Sequence, residues 1–213
     1  MDAIVITQEA IHSIKPRKLK VLLLKLDLEK SFDKVYWDFL RLVLIQIGFP
    51  LSVVKWILSC VTSAHFAILV SGTPSSFFKS GRGIRQGYPL SPFLFLLIIE
   101  GLSRLILDAK AKGTIKGIKH CKDISTTHLL FANNVLLFGM DSVDEWRCYN
   151  DIINVFSKAS RIYVSNIKSN FFHNKLEMTS LDIITSILPY KTCYLDSGFH
   201  YLSYFLKPNG YRV

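Results

Sequence analysis

Three short stretches hold side chains able to do chemistry. Leu26-Asp27-Leu28-Glu29-Lys30-Ser31-Phe32-Asp33 sets a carboxylate at the end of an apolar run and another just after Phe32. Taken alone, two surface acids capping the next helix is the simpler reading. Gly81-Arg82-Gly83-Ile84-Arg85-Gln86-Gly87 joins a flexible backbone to two guanidiniums and an amide. That set suits phosphate and base contacts, although a plain basic loop has the same composition. The third stretch, THLLFANNVLLFGM (127–140), drives two apolar runs together around Asn133-Asn134. Two strands joined by two residues read as a β-hairpin whose turn needs positive φ at both central positions, which Asn tolerates. Otherwise the tip is a site position whose chemistry has changed.

Elements that could position these residues follow from the spacing of apolar residues. A helix is expected over 3–14, then a basic turn at 15–18. Residues 19–28 (LKVLLLKLDL) read as a buried strand that delivers Asp27 at its end. Apolar residues recur at helical spacing over 35–47, closed by Gly48 and Pro50, and a second helix covers 51–61. Residues 65–70 and 76–79 read as strands around the turn-rich Ser71–Ser75. Ser91 as N-cap and Pro92 as first helical residue open a helix from Phe93 to about Lys110 that is apolar nearly all round and should be buried. Ser142-Val143-Asp144-Glu145 fits a capping box for a helix to about Ser160. Short strands at 162–165 and 201–206 and a helix near 180–188 complete an α+β fold, with no linker that would cut the chain.

Composition narrows the class of partner. The 213 residues are 50% hydrophobic and 20% charged, which argues for a packed core rather than disorder. Lys and Arg outnumber Asp and Glu by 26 to 16, a net charge of +10 that favours polyanions, nucleic acid before acidic membrane surfaces. Cys60, Cys121, Cys148 and Cys193 are far apart, which disfavours a zinc site or a disulfide framework and suits reduced thiols. The N-terminus lacks the pattern of a secretion signal, and the longest apolar run, 93–99, is too short to span a bilayer. An intracellular protein of the nucleus or cytoplasm is expected.

Taken in order, the motifs resemble the reverse transcriptase domain of non-LTR (LINE-type) retrotransposons, particularly plant forms, over nearly the whole chain. LDLEKSFDKVYWDFL looks like the first palm motif of that family, GRGIRQGYPLSPFLFLLIIEGLSRLI like the second and THLLFANNVLLFG like the third. VSNIKSNFF is similar to the Asn-x-x-Lys-Ser element, and GFHYLSYFLKPNGY to the strand before the thumb. The resemblance implies a polymerase palm-type antiparallel sheet with packed helices and a partial fingers region. It makes residues 1–213 a partial domain of fingers remnant and palm, ending where the thumb would start, too short for processive synthesis. It assigns Asp27 to catalysis and metal binding, with Mg2+ as cofactor and an RNA template and DNA primer as partners. Phe32 takes the place that stacks under the incoming sugar and excludes a 2′-hydroxyl. Arg85, Gln86 and Gly87 would contact template and nucleotide, and Lys168 would lie near the pyrophosphate.

Two departures bear on the chemistry. The family's tip reads Phe-Ala-Asp-Asp, where this chain has Asn133-Asn134; the family's loop reads Arg-Gln-Gly-Asp-Pro, where it has Tyr88. Nucleotidyl transfer of this kind uses two metal ions roughly 3.5–4 Å apart, whose mutual repulsion carboxylates offset. Magnesium prefers hard, charged oxygen ligands, and an Asn amide brings one neutral carbonyl oxygen. A charge pair at 4 Å is worth about 4 kcal/mol at an effective dielectric near 20, so the double change could remove many decades of rate. The sequence therefore reads as a palm without catalysis, with a nucleic-acid-binding module on a basic groove, or a functionless element remnant, as the alternatives.

Overall fold

The computed structural model describes residues 2–14, 17, 19–119, 124–174 and 178–208. Cys121, most of the basic turn at 15–18, and the end of the chain from 209 lie outside them. The chain divides into two compact units. One comprises residues 1–29, 102–155 and 164–213, the other 30–101 and 156–163.

The first unit is built on β1 (Val21–Glu29), β2 (His128–Phe131), β3 (Asn134–Met140), β4 (Asn170–His173) and β5 (Lys191–Tyr194), laterally ordered β5-β4-β1-β3-β2. All pairs are antiparallel except β4 with β5. β1 is central, and its residues 21–24 are buried, so both faces of its apolar run are covered. On one face Leu23, Leu136, Phe138 and Phe172 pack with Ala10, Ile11 and Ile14 of the helix Asp2–Ile14. On the other, Trp146 of the helix Val143–Ser160 meets the Phe171 ring edge-on at 5.0 Å. The Tyr149 hydroxyl donates to the carbonyls of Thr127 and Phe138, both at 2.9 Å. Gly139 is required here: a Cβ on it would lie 2.8 Å from the Trp146 ring.

Several sequence expectations are corrected in this unit. Ser142 does cap its helix, its hydroxyl accepting from the Glu145 N–H at 3.4 Å, but Glu145 does not reach back to close the capping box. Its buried carboxylate accepts instead from the backbone N–H groups of Lys116 and Gly117 (2.8 Å each) and Met140 (3.0 Å). Three orphan donors outcompete one cap donor for a buried anion. Residues 201–206 are not one strand. They hold the last residue of one strand, the turn and the second strand of a hairpin, Phe199–Tyr201 against Tyr204–Leu206, turning at Leu202-Ser203 with φ of 50° and 69°. The strand expected at 162–165 is limited to Tyr163–Val164, whereas the helix near 180–188 forms as Met178–Ile187.

In the second unit, helices Trp37–Ile47 and Leu51–Thr62 follow one another. Gly48, at φ 102°, ends the first by turning its N–H back to the carbonyls of Ile45 and Leu44. That helix starts later than its periodicity suggests. Ser31–Lys34 is a separate single turn, and Tyr36 is extended, with its N–H on the Ser160 carbonyl. The strands expected at 65–70 and 76–79 shrink to two short pairings, His65–Phe66 with Phe78–Lys79 and Leu69–Val70 with Thr73–Pro74. Their tip is Ser71-Gly72, both at positive φ.

The helix Ser91–Ala111 is divided between the units after Gly101. Ser91 lies inside it rather than capping it, and it is not buried all round: Phe93, Leu96, Leu105 and Leu107 are exposed. An apolar helix surface wider than its neighbours can cover leaves part of itself in solvent.

Candidate nucleic-acid site

In the first unit, strand pairing brings the hairpin tip to Asp27. The register of β3 on β1 runs Leu23 with Phe138, Leu24 with Leu137, and so on to Asp27 with Asn134. Asn134 is thereby drawn into the strand and pairs with Phe131 across the hairpin. The two turn residues are then Ala132 and Asn133, and only Ala132 has positive φ (49°). The turn expected at Asn133-Asn134 thus sits one residue earlier. Cross-strand register, fixed by buried side chains along β1, outweighs the local turn preference of Asn.

The three polar side chains form a short chain. Asn134 Nδ2 donates to Asn133 Oδ1 at 3.2 Å, and Asn133 Nδ2 lies 3.5 Å from Asp27 Oδ2. The Asn133 carbonyl accepts from the Leu28 N–H at 2.9 Å, tying the tip to β1 through backbone as well. All three residues are half-buried. Lys25, two residues before Asp27, donates to the His200 carbonyl at 2.8 Å; burial lowers its pKa, and the Asp27 charge raises it in part. The side-chain metal donors gathered here among the described residues are one carboxylate and two neutral amide oxygens. Among the described residues, no three His, Cys, Asp or Glu side chains gather into a metal-ligand group.

The segment Ser165-Asn166-Ile167-Lys168-Ser169 lies against the same strand end. Asp27 donates its N–H to Ser169 Oγ at 3.1 Å and accepts from the Ser165 N–H at 2.8 Å, while Ser169 N–H closes the turn on the Ser165 carbonyl at 3.0 Å. Lys168 is exposed beside the buried Ser169. Ser165 and Ser169 hold the Asp27 backbone, a role sequence reading gave to neither; a serine in a turn carries no signal of which backbone it will meet.

The second unit holds the other residues. Phe32 stacks on Phe95 with centroids 4.7 Å apart. The glycine-rich loop docks on the Phe32 segment: Ile84 N–H donates to the Phe32 carbonyl and Gly83 N–H to the Val35 carbonyl, both at 2.8 Å, and Trp37 Nε1 donates to the Gly83 carbonyl at 2.7 Å. Gly83 has φ 90°, and a Cβ there would meet the Asp33 carbonyl oxygen at 2.7 Å, so only glycine fits. Gln86 Nε2 spans both Asp33 oxygens at 3.3 and 3.5 Å. The capping role considered for Asp27 and Asp33 is therefore not what forms. The short turn after β1 is capped by Lys30 without a side-chain bond, Asp27 stays in the strand, and Asp33 receives Gln86. Arg85 reaches Ser63 Oγ at 3.4 Å. A cleft of about 460 Å3 is lined by Asp33, Phe66, Arg82, Arg85 and Gln86 among others, and a hollow of about 350 Å3 by Phe32, Gln86, Gly87 and Tyr88.

The structure thus assembles Asp27, Asn133, Asn134 and the Lys168 turn in one unit, and Phe32, Arg85, Gln86 and Gly87 in the other. With that geometry established, the model for the family described as reverse transcriptase (RNA-dependent DNA polymerase) matches residues 2–205. The chain belongs to the reverse transcriptase family. Among proteins similar to it are the Transposon TX1 uncharacterized 149 kDa protein of Xenopus laevis (27% identical, covering 79% of this chain and 12% of that protein) and the Pol polyprotein from the type-1 retrotransposable element R2 of Popillia japonica (29%, 62% and 22%). An uncharacterized mitochondrial protein of Arabidopsis thaliana is 41% identical over 73 residues, 33% of this chain and 60% of that one. This chain spans less than two thirds of each. Apo telomerase from Candida tropicalis superposes with a TM-score of 0.61 at 14% identity, over 83% of this chain and 35% of that one. The expected α+β, polymerase palm-type fold and the LINE-type character of this reverse transcriptase domain are both borne out. No helix among the described residues is long and apolar enough to cross a membrane.

Proposed function

We propose that this reverse transcriptase domain no longer catalyses nucleotidyl transfer. The observation that carries the reading is the donor set at the hairpin tip, where Asn133 and Asn134 line up on the lone carboxylate of Asp27. Two dications about 4 Å apart need anionic ligands between them, and two neutral amides do not fit that demand. The Asn133 amide directs N–H toward Asp27 Oδ2, so a cation would also have to displace a donor from its best ligand. The Mg2+ that serves the family is bound weakly here or not at all. Asp27, Asn133 and Asn134 are vestiges of the catalytic centre, and Lys168 keeps only the pyrophosphate role that the family resemblance implies for it.

The test is primer extension on an RNA template with Mg2+ or Mn2+. No product above background is expected. Extension by protein whose mass shows both amides intact would refute the reading.

A second reading has its own observation. Arg82, Arg85 and Gln86 line one cleft, a local surface that could hold RNA or DNA without catalysis, whereas the +10 charge of the chain is not gathered on it. Lys168 lies on the other unit and Lys79 on the neighbouring hairpin. Affinity for a single strand should fall with salt by about 0.7 log units per log unit for each phosphate contacted. A flat salt response would exclude a phosphate-contacting groove.

A further inference from the structure

Tyr88 is where this chain departs from the family loop, and its surroundings suit a ligand that an aspartate there would repel. Tyr88 is 40% exposed and lines two hollows of about 350 Å3 each. Phe32, Gln86, Gly87, Ser91 and Pro92 complete the first; Leu90 and Phe93 complete the second, with Pro89 common to both. Phe93 is 65% exposed at the start of its helix. The walls are mostly aromatic, proline or leucine, and Gln86 and Ser91 supply the polar side chains of the first hollow.

The mount of the ring is well defined. Gly87 at φ 78° turns the chain, Tyr88 N–H reaches the Arg85 carbonyl at 3.4 Å, and the Tyr88 carbonyl accepts from the Ser91 N–H at 3.0 Å. The Arg85 guanidinium lies over the ring, 5.9 Å from its centroid, placing a cation on one aromatic face. Flat, exposed aromatic faces beside a guanidinium bind unpaired bases, which bring a π-face and a phosphate together. A paired base has both faces covered by its neighbours and cannot use such a surface.

We propose that Tyr88 and Phe93 form a stacking platform for unpaired bases of a single-stranded nucleic acid, with Arg85 meeting the adjoining phosphate. The proposal rests on the nucleic-acid reading above. An aspartate at position 88 would supply no aromatic face and would repel the phosphate. The change to tyrosine converts a charged loop position into a binding surface, and the ligand class follows: single-stranded RNA or DNA, read by stacking and without base identity.

The test compares a labelled oligouridylate with an abasic strand carrying the same number of phosphates, by fluorescence anisotropy. Tyr88→Ala should weaken oligouridylate binding about 5- to 150-fold, the range one stacked base supplies. Tyr88→Phe should stay within about twofold, and Phe93→Ala should weaken binding in the same direction as Tyr88→Ala. None of these variants should change abasic-strand affinity or the salt slope. Matching melting temperatures show that each variant is folded, as expected for exposed side chains. If the parent binds both strands with steep salt dependence and Tyr88→Ala binds oligouridylate as well as the parent, the platform is refuted and the nucleic-acid reading stands. An equal loss on both strands also overturns stacking. Parent protein that binds neither strand overturns both.

Discussion

Replacing Asn133 and Asn134 together by aspartate should make the stability of this domain depend on divalent cations, a dependence not expected of the parent. Asn133 Nδ2 lies 3.5 Å from Asp27 Oδ2, so a carboxylate there would face Asp27 at nearly the same separation. Two unit charges at that distance repel by about 5 kcal/mol at an effective dielectric of 20. The tip is half-buried, and solvent screening reduces the penalty to roughly 2 kcal/mol. For a domain of this size each kcal/mol shifts the melting temperature by about 2–4 °C, so the double variant should melt roughly 4–8 °C below the parent in EDTA. Magnesium at about 100 times its dissociation constant returns about 2.7 kcal/mol, which would cancel the deficit. The assay is thermal unfolding of both proteins with EDTA and with a magnesium titration. A flat response from the parent and a rising one from the variant are expected. A parent that gains as much from magnesium as the variant would refute the donor-set argument, because two amides and one carboxylate would then suffice.

Three further outcomes test the scaffold. Gly139→Ala puts a methyl 2.8 Å from the buried Trp146 ring and should cost about 1–3 kcal/mol, read as a lower denaturation midpoint with unchanged slope. Glu145→Ala strands the N–H groups of Lys116, Gly117 and Met140 and should cost about 3 kcal/mol or more; Glu145→Gln, which keeps one acceptor oxygen, should cost less. The Tyr201 hydroxyl is buried without a hydrogen-bond partner among the described residues, and burial pushes its pKa up to about 12. The folded state therefore favours the neutral phenol. Its contribution is intact below the unfolded pKa near 10 and is lost as pH rises from there toward 12. Tyr201→Phe should be neutral or stabilising at pH 7 and should lessen the alkaline loss in pH-dependent unfolding.

Much of this protein is written in its residues taken in order. LKVLLLKLDL reads as a buried central strand because no alternation interrupts its apolar run, and β1 is that strand. The two runs of THLLFANNVLLFGM imply a hairpin, and Gly48 marks a helix end that its positive φ confirms. The amides at 133 and 134 are likewise plain in the sequence, since side-chain chemistry is a property of residue type. Details that depend on partners distant in the chain were not legible. Asn-Asn was the better turn by local preference, yet pairing along β1 from Leu23 to Asp27 moves the bend to Ala132-Asn133. Glu145 has the spacing of a capping box, but its acceptors go to donors of residues 116, 117 and 140. The periodicity of 35–47 continues across the break at Val35-Tyr36, because an apolar pattern records which side chains seek burial and not where the backbone finds a partner. The helix from Ser91 is apolar on more sides than its neighbours cover, so which residues stay exposed is settled by packing alone. Local propensities are worth tenths of a kcal/mol per residue, whereas buried register and buried anions are worth several, and these stronger interactions join residues that only folding brings together.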